Sequence, residues 1–435
     1  MSSVAADVVL RGASELVTMA APPAAGLGAI AGGALAAHEG VIVWVGPEAE
    51  LAHAVELADD GLDIDAEGCC VLPGFVDAHT HVPFAGSRAA EYGERLGGVS
   101  YAEILARGGG INVTVAATRL AAEEDLARLC SARYDSMLRH GTTTAEVKSG
   151  YGLATEHEAK QLRAAAVAHP LRREYTFLGA HFVPPEFQGR PDDYVHLVCE
   201  EMIPACAPLA HWCDVFCDEG AFTIEQSRRV LQAASASGLS LRIHADEMAR
   251  SGGSFLAAEL GCASADHLIH ATWEEIAALK EAGVVAVMLP GTSYTLGVQF
   301  APARAFLEAG VTIALATDYN PGSCNSENLQ LMVSLACQGM KLTPDEALYA
   351  ATLGGAAALR RDDVGSLEVG KRCDFSVLVA ESRTELPYHF GVNLVTDVIV
   401  GGAVVVQDGA LTDAAAPQPV PSFPRPTAAR GGGDR

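Results

Sequence analysis

The stretch Val71-Leu-Pro-Gly-Phe-Val-Asp-Ala-His-Thr-His81 is an apolar run that ends in two histidines one residue apart. In a β-strand, side chains at positions i and i+2 point to the same face, so His79 and His81 would lie side by side. Two neutral imidazole nitrogens at this spacing are suited to hold a divalent metal ion. Taken alone, the pair could equally be two surface or core histidines.

Three later runs of β-type residues also end in side chains that can bind a metal ion. His244 follows Arg-Ile, His267 follows Ala-Asp, and Asp318 follows Ala-Leu-Ala-Thr. Four such strand ends in one chain argue against a chance arrangement. His267 and His270 are three residues apart and would face opposite sides of a strand. We favour His267 as the inward-pointing residue because it stands nearer the middle of its run.

Between residues 71 and 363, short β-type runs alternate with amphipathic helical stretches, several of which end in glycine. Eight buried strands with crossover helices predict an α/β fold, a closed parallel (β/α)8 barrel of the TIM type. A doubly wound open sheet is the alternative, but no Gly-x-Gly-x-x-Gly motif follows the first strand. The predicted strands are 72–81, 143–148, 175–181, 214–218, 241–245, 265–269, 284–289 and 312–317.

The two flanks of the barrel region are rich in short strand-like pieces separated by glycine and alanine. Neither residues 1–70 nor residues 364–413 could bury a core alone, so we predict that they pair into one small β-sandwich domain. Residues 414–435 are rich in Pro, Ala, Arg and Gly, a composition typical of a disordered tail.

The composition limits the partners and the compartment. A formal net charge of −25 argues against nucleic acids and anionic membranes as partners, because both require a basic surface. Eleven cysteines without a Cys-x-x-Cys pair predict reduced thiols in a cytoplasmic protein. We expect a small-molecule ligand, and an anionic one would need a local positive site in so acidic a chain.

In a parallel barrel the reactive groups gather at the carboxyl ends of the strands, which is where the candidate residues lie. Three histidines and one aspartate would hold an ion and leave room for a water molecule, whose pKa the ion would lower toward neutrality. Asp318 could take the proton of that water and later deliver it to a leaving nitrogen. This set of roles predicts hydrolysis of a C–N bond.

The motif Pro-Gly-Phe-Val-Asp-Ala-His-Thr-His resembles the amidohydrolase superfamily, as does the late segment Gly365-Ser-Leu-Glu-Val-Gly-Lys-Arg-Cys-Asp-Phe. Four further stretches narrow the resemblance to one family that hydrolyses a ring amide carrying a carboxylate tail. The resemblance covers the chain except for its tail. The four stretches are Gly97-Gly-Val-Ser-Tyr-Ala-Glu-Ile-Leu-Ala-Arg-Gly-Gly-Gly-Ile111, Glu146-Val-Lys-Ser-Gly-Tyr-Gly-Leu153, His244-Ala-Asp-Glu247 and Ala316-Thr-Asp-Tyr-Asn-Pro-Gly-Ser323.

The resemblance implies a role for each matching residue. One Zn2+ or Fe3+ ion per subunit would be held by His79, His81, His244 and Asp318. Asp318 would also act in catalysis, with His267 polarising the carbonyl group and Glu247 binding the ring near the attacking water. We expect a homodimer. The residues expected to contact the substrate are Arg88, Tyr101, Tyr151, His181, Glu247, Asn320, Gly322 and Ser323.

Several of these residues also suit their roles on chemical grounds. Arg88 lies on the loop after the first strand, and its planar guanidinium suits a carboxylate, although a surface salt bridge is the alternative. Tyr151 stands between two glycines and could close over a ligand, or could be a loop-packing tyrosine. His181 ends a strand and is the less certain of these contacts. The Asn-Pro-Gly-Ser turn at 320–323 could offer backbone N–H groups to an anion, or be a plain turn.

Two other functions remain open at this point. A nucleobase deaminase would share the His-x-His pair and the His-Ala-Asp-Glu motif but would have no need for Arg88. A catalytically silent barrel would serve as a structural or interaction subunit, although such relatives lose metal ligands that are all present here. The remaining histidines His140, His157 and His169 fall in helical patterns, and we expect them to be exposed to solvent.

Overall fold

The computed structural model describes residues 3–99, 103–104 and 107–415. Tyr101 and residues 416–435 lie outside the described residues, so the predictions made for them stay predictions. The first two residues of the predicted tail, 414 and 415, belong to the 3-10 turn Asp413–Ala415. Within the described part of the chain, no helix is both long and apolar enough to cross a bilayer.

Eight strands form a parallel barrel in which each strand pairs with the next along the chain. Their side chains are almost entirely buried, since helices cover the outside and layers of side chains fill the inside. The predicted (β/α)8 fold is confirmed. The strands are β8 Phe75–Asp77, β9 Thr142–Lys148, β10 Arg172–Ala180, β11 Trp212–Cys217, β12 Ser240–Ala245, β13 Ser264–His267, β14 Val285–Met288 and β15 Ile313–Leu315.

The first and last strands meet through the segments that follow them. The backbone N–H of Asp318 donates to the carbonyl of His79 at 3.0 Å, and that of His81 donates to Tyr319 at 2.9 Å. Beneath these bonds, the carboxylate of Asp77 accepts from the N–H and the hydroxyl of Thr317, at 3.0 and 2.6 Å. The barrel is therefore closed at the segments that carry three of the predicted metal ligands.

The prediction of one strand over residues 72–81 was wrong. The run divides at Gly74, because β7 (Cys70–Pro73) pairs with strands of a different sheet and only β8 enters the barrel. A Cβ atom on Gly74 would lie 2.1 Å from the hydroxyl of Thr143, so the position where the chain passes from one sheet to the other requires glycine. Both halves are apolar because each lies in a buried sheet, and a continuous apolar run does not reveal the division.

Both ends of the chain build two further sheets that pack on each other. One contains β5-β4-β1-β6 and the other β19-β18-β17-β16-β7-β2-β3, with apolar residues of both sheets in a shared core. The predicted β-sandwich is therefore present, and its exact domain boundaries stay a prediction. Its strands are β1 Val4–Arg11, β2 Glu15–Val17, β3 Ala29–Ala31, β4 Gly33–His38, β5 Val41–Pro47, β6 Val55–Asp65, β7, β16 Phe375–Leu378, β17 Val395–Val400, β18 Ala403–Gln407 and β19 Ala410–Leu411.

Glycines follow several of the helices, as the sequence predicts. Gly141, Gly238, Gly283 and Gly310 have φ between +68° and +88°, the left-handed conformation expected after a helix C-terminus. The α-helices whose bounds lie within the described residues are α1 Glu48–Ala54, α2 Ala89–Leu96, α3 Ile111–Leu120, α4 Glu123–Arg139, α5 Thr155–Ala165, α6 Pro191–Leu197, α7 Ile203–Cys206, α8 Ile224–Ala236, α9 Gly253–Leu260, α10 Trp273–Ala282, α11 Pro290–Leu296, α12 Ala303–Glu308, α13 Leu329–Gly339, α14 Pro344–Tyr349, α15 Gly355–Ala358 and α16 Glu385–Tyr388.

Candidate active site

Four of the predicted metal-binding side chains converge at the carboxyl end of the barrel. The Nε2 atoms of His79 and His81 are 3.3 Å apart. Asp318 places Oδ1 at 3.5 Å from Nε2 of His79 and at 3.4 Å from Nε2 of His81. The ring of His244 lies 4.5 Å from that of His79, centroid to centroid, and the ring of His267 lies 5.2 Å from that of His244.

Buried carboxylates orient these imidazoles from the side opposite the cluster. Asp266 of β13 lies 2.6 Å from Nδ1 of His79, and Asp214 of β11 lies 3.0 Å from Nδ1 of His244. A carboxylate at Nδ1 leaves Nε2 as the atom that can bind a metal ion. In Asp318, the other oxygen, Oδ2, accepts from the hydroxyl of Thr292 at 2.5 Å, which directs Oδ1 to the histidines.

Lys148 lies directly beneath the cluster and is completely buried. Its ammonium group is 2.8 Å from Glu146 and from Asp214, and 3.9 Å from Asp266. Burial opposes the charge of Lys148, but the carboxylates outweigh it and raise the pKa of the ammonium above its usual value. The lysine therefore balances part of the negative charge of the carboxylates that orient His79 and His244.

The donor set fits a metal ion. His79, His81 and His244 offer ligand atoms that all lie within 4.8 Å of one another, and His79, His267 and Asp318 form a second such group. Among the described residues, the buried Nε2 atom of His244 and both ring nitrogens of His267 have no hydrogen-bond partner. Buried polar atoms are rarely left unsatisfied in this way, and a bound ion would satisfy Nε2 of His244.

The protonation states also suit metal binding, which requires neutral imidazoles. Burial lowers the pKa of His79 and of His81 well below the usual value, so both rings are neutral at pH 7. Burial acts in the same direction on His244, but the adjacent Asp214 carboxylate outweighs it and raises the pKa of this ring. At His244 an ion would take the place of a proton.

Glu247 and His267 form a second pair at the edge of the cluster, with Oε1 of Glu247 3.5 Å from Nδ1 of His267. Burial raises the pKa of Glu247 to about 8 and lowers that of His267 to about 3, so both side chains are uncharged at pH 7. Asp218, just after β11, holds the Glu247 loop by accepting from the backbone N–H groups of Glu247 at 2.6 Å and Met248 at 2.9 Å.

A cavity of about 420 Å³ opens onto this cluster. Arg88 lines it, with Nε donating to Oε2 of Glu91 at 2.8 Å, and its guanidinium lies against the backbone of Gly322. Arg95 also lines the cavity and donates to the carbonyl of Gly322 at 3.1 Å. Arg95, which lies in the last turn of α2, was missed in the sequence analysis. Arg88 directly precedes this helix, and a spacing of seven residues places the two arginines on the same side of it.

The predicted substrate contacts Tyr151 and His181 lie together on another side of the cavity, with ring centroids 5.3 Å apart. The ring of His181 stacks on that of His81 at 5.1 Å. Nδ1 of His181 lies 2.9 Å from the carbonyl oxygen of Gly150, to which a protonated Nδ1 can donate a hydrogen bond. These three aromatic rings form a wall beside the metal-binding atoms.

The turn at 320–323 lines the cavity but differs from its predicted form. The backbone N–H groups of Gly322 and Ser323 both donate to Oδ1 of Asn320 at 2.8 Å, so they are occupied inside the turn. Of the two alternatives, these contacts favour the plain turn, because Asn320 closes it with its own side chain. Nδ2 of Asn320 donates to the carbonyl of Asp318 at 2.7 Å and fixes the turn to the cluster.

Known proteins are similar to this chain in sequence. The model of the amidohydrolase family matches residues 70–405. The imidazolonepropionase of Symbiobacterium thermophilum is 50% identical over 416 residues, which cover 93% of this chain and 98% of that relative. The imidazolonepropionase of Geobacillus kaustophilus is 48% identical over 92% of this chain and 98% of its own length.

Solved structures agree on the architecture. A triazine hydrolase variant superimposes with a TM-score of 0.75 at 20% identity, over 94% of this chain and 96% of that chain. A zinc-bound adenosine deaminase from Xanthomonas campestris gives a TM-score of 0.69 at 22% identity, over 95% of each chain. At these identities the likeness concerns the fold alone.

The closed barrel and its histidine cluster are those of a metal-dependent hydrolase. The chain belongs to the amidohydrolase family. Its curated relatives place it more narrowly. With about half of its residues identical over nearly the whole length of both chains, it belongs to the imidazolonepropionases.

Proposed function

We propose that this protein hydrolyses the ring amide of 4-imidazolone-5-propanoate and releases N-formimidoyl-L-glutamate. The observation that carries the proposal is Arg88, a guanidinium that lines the same cavity as the histidine and aspartate cluster. In a chain with a net charge of −25, a cation at this position favours a substrate with a carboxylate tail. Arg95, in the last turn of the helix that begins directly after Arg88, adds a second cation to that side.

The residues that would hold the ion are His79, His81, His244 and Asp318, and we propose Zn2+ or Fe3+. Both ions accept imidazole and carboxylate ligands. When bound, such an ion polarises a water molecule and lowers its pKa toward neutrality. Asp214 and Asp266 would keep Nε2 of His244 and His79 directed at it.

Asp318 is positioned to carry the proton through the reaction. Thr292 occupies Oδ2, so Oδ1 is the oxygen that faces the cluster and can accept the proton of the attacking water. As the C–N bond breaks, the same oxygen would return this proton to the ring nitrogen that leaves. The new carboxyl group would lose the second proton of the water to solvent, and Asp318 would end the cycle ionised.

His267 and Glu247 would stabilise the reacting ring. His267 stays neutral because burial holds its pKa near 3, so one ring nitrogen carries a proton that can be donated to the carbonyl oxygen as charge develops there. Glu247 keeps its proton at pH 7 because burial raises its pKa to about 8, and it can donate to the ring or orient it. Asp218 fixes the backbone from which Glu247 projects.

The test is the loss of imidazolone absorbance on adding purified protein, with and without a chelator. We expect turnover with the metal-loaded protein, none after chelation, and recovery with zinc or iron. Ammonia release from cytosine or guanine without imidazolone turnover would instead favour a nucleobase deaminase. Metal analysis of the same sample identifies the ion, and light scattering tests the expected homodimer. A cytoplasmic location stays a proposal that cell fractionation would check.

A further inference from the structure

Glu158 is a completely buried carboxylate in the first turn of α5 that touches none of the proposed reacting groups. Its two oxygens accept three backbone N–H groups of the loop after β9. Oε2 accepts from Gly150 at 2.9 Å, and Oε1 accepts from Gly152 at 2.7 Å and from Leu153 at 2.6 Å. Burial raises the pKa of this carboxyl group, and the backbone N–H groups oppose that shift, because hydrogen bonds to a charged acceptor are about twice as strong as neutral ones.

Other side chains hold the same loop, which we call the 150–153 loop. Oε1 of Gln161 accepts from the N–H of Tyr151 at 3.1 Å. Arg119 donates to the carbonyls of Gly152 at 2.6 Å and Leu153 at 3.0 Å. The loop needs this support because Leu153 has φ of +49°, a conformation that costs a non-glycine residue about 1 kcal/mol or more.

The 150–153 loop contacts or carries two residues proposed to bind the substrate: Tyr151 belongs to the loop, and His181 contacts its backbone. Tyr151 projects from it and packs 5.9 Å from His81, centroid to centroid. The carbonyl of Gly150 lies 2.9 Å from Nδ1 of His181. In a neutral ring, a proton on Nδ1 that is donated to this carbonyl leaves Nε2 as an acceptor.

We propose that Glu158 is a positioning residue that fixes Tyr151 and the tautomer of His181 for substrate binding, an inference that rests on the proposed function. A glutamate is required because two oxygens serve three donors. A glutamine at 158 has one acceptor oxygen, and its NH2 group would face a backbone N–H donor. The 150–153 loop would then shift, and the Gly150 carbonyl would no longer hold Nδ1 of His181.

The test compares Glu158→Gln and Glu158→Asp with Glu156→Gln as the matched control. Glu156 lies in the same turn of α5, its side chain is 80% exposed and it pairs with Arg163. We expect KM for 4-imidazolone-5-propanoate to rise at least tenfold in Glu158→Gln, with a smaller fall in kcat and unchanged metal content. Glu158→Asp keeps the charge but shortens the reach, so it should raise KM less. Glu156→Gln should match the wild type.

Two further readouts separate this inference from the proposed function. The Kd of imidazole-4-propanoate, which has no amide bond to cleave, should rise with KM. In 15N-histidine-labelled, zinc-loaded protein, His181 should carry its proton on Nδ1 in the wild type and exchange between tautomers in Glu158→Gln. A lower Tm with unchanged KM, Kd and tautomer in both variants would overturn the inference. Absence of imidazolone turnover in the wild type would overturn the proposed function, and the tautomer would still test Glu158.

Discussion

Arg88 is the residue on which the proposed choice of substrate depends. Its side chain is 9% exposed, and Nε donates to Glu91, which orients the guanidinium. Replacing Arg88 with alanine removes a charge-assisted contact worth about 1.5–3 kcal/mol, so KM should rise roughly 10- to 150-fold while kcat changes little. Steady-state kinetics measures both. Arg128→Ala, which removes a 79% exposed arginine paired with Asp125, should leave KM unchanged. An equal KM in the two variants would exclude Arg88 from carboxylate binding.

Asp318 is expected to carry the chemistry rather than the binding. Asp318→Asn keeps the shape of the side chain and its contact with Thr292 but cannot accept the proton of the water. General acid–base catalysis contributes about 10²- to 10⁴-fold, so kcat should fall by at least 10²-fold while the circular dichroism spectrum stays native. Metal content measured beside kcat separates loss of the proton acceptor from loss of the ion. Near-normal kcat would refute the role.

At the scale of elements, Lys148 of β9 joins three barrel strands beneath the site, because its ammonium group lies 2.8 Å from Asp214 of β11 and 3.9 Å from Asp266 of β13. Lys148→Met leaves buried carboxylates without a counter-charge, which should cost about 3–5 kcal/mol of unfolding free energy. It should also weaken metal binding, because Asp214 and Asp266 orient two ligands. Denaturant unfolding and a zinc titration measure the two effects. Lys280→Met, at an exposed site in α10, is the control, and equal zinc affinity in both variants would contradict the link.

His169 shows where helical periodicity fails, since it was expected to be exposed and is buried after α5. Nδ1 accepts from the N–H of Leu171 at 3.1 Å, and Nε2 lies 3.0 Å from Asp135. Protonation of Nδ1 would break the first bond, and burial lowers the pKa of this ring below 6.5. The native state therefore favours the neutral ring, and stability falls as pH drops below the unfolded pKa of about 6.5, by at most about 1.4 kcal/mol per pH unit.

The prediction for His169 is tested with His169→Gln, which does not titrate. Between pH 6.5 and pH 5.5 the wild type should lose more unfolding free energy than the variant, by up to about 1 kcal/mol. Parallel urea titrations at the two pH values give the difference. His53→Gln, at an exposed position in α1, is the matched control and should keep the wild-type slope. Identical slopes for wild type and His169→Gln would show that the ring does not couple folding to pH.

The strands and the metal cluster could be predicted because each depends on local signals: short apolar runs, glycines after helices, and polar residues at strand ends. The division at Gly74 could not, because it depends on a 2.1 Å approach to Thr143 from another strand. The closed turn at Asn320 could not be predicted either, because the same sequence could direct the N–H groups of Gly322 and Ser323 outward. The role of Lys148 could not be predicted, because its sequence context is that of an ordinary strand residue and only the fold surrounds it with carboxylates from three strands.

At the scale of the whole molecule, the proposed metal ligands span the seam of the barrel. His79 and His81 follow the first strand, Asp318 follows the last, and backbone bonds between these segments close the barrel. An ion held by all three would tie the two edges together, and any ligand that binds only the folded state stabilises it by mass action. Metal binding and barrel closure are therefore expected to be coupled.

This coupling predicts where chelation loosens the protein. In hydrogen exchange followed by mass spectrometry, peptides covering residues 75–82 and 313–320 should exchange faster in the metal-free protein, by about tenfold or more if the site contributes at least 1.4 kcal/mol to local closure. The strands β17 and β18 of the terminal sheets, which share no residue with the site, should exchange alike with and without the ion. Zinc should restore protection to the wild type and not to His79→Ala. Uniform loosening of barrel and sandwich would show that the ion stabilises the fold globally, and equal exchange at the seam would show no coupling at all.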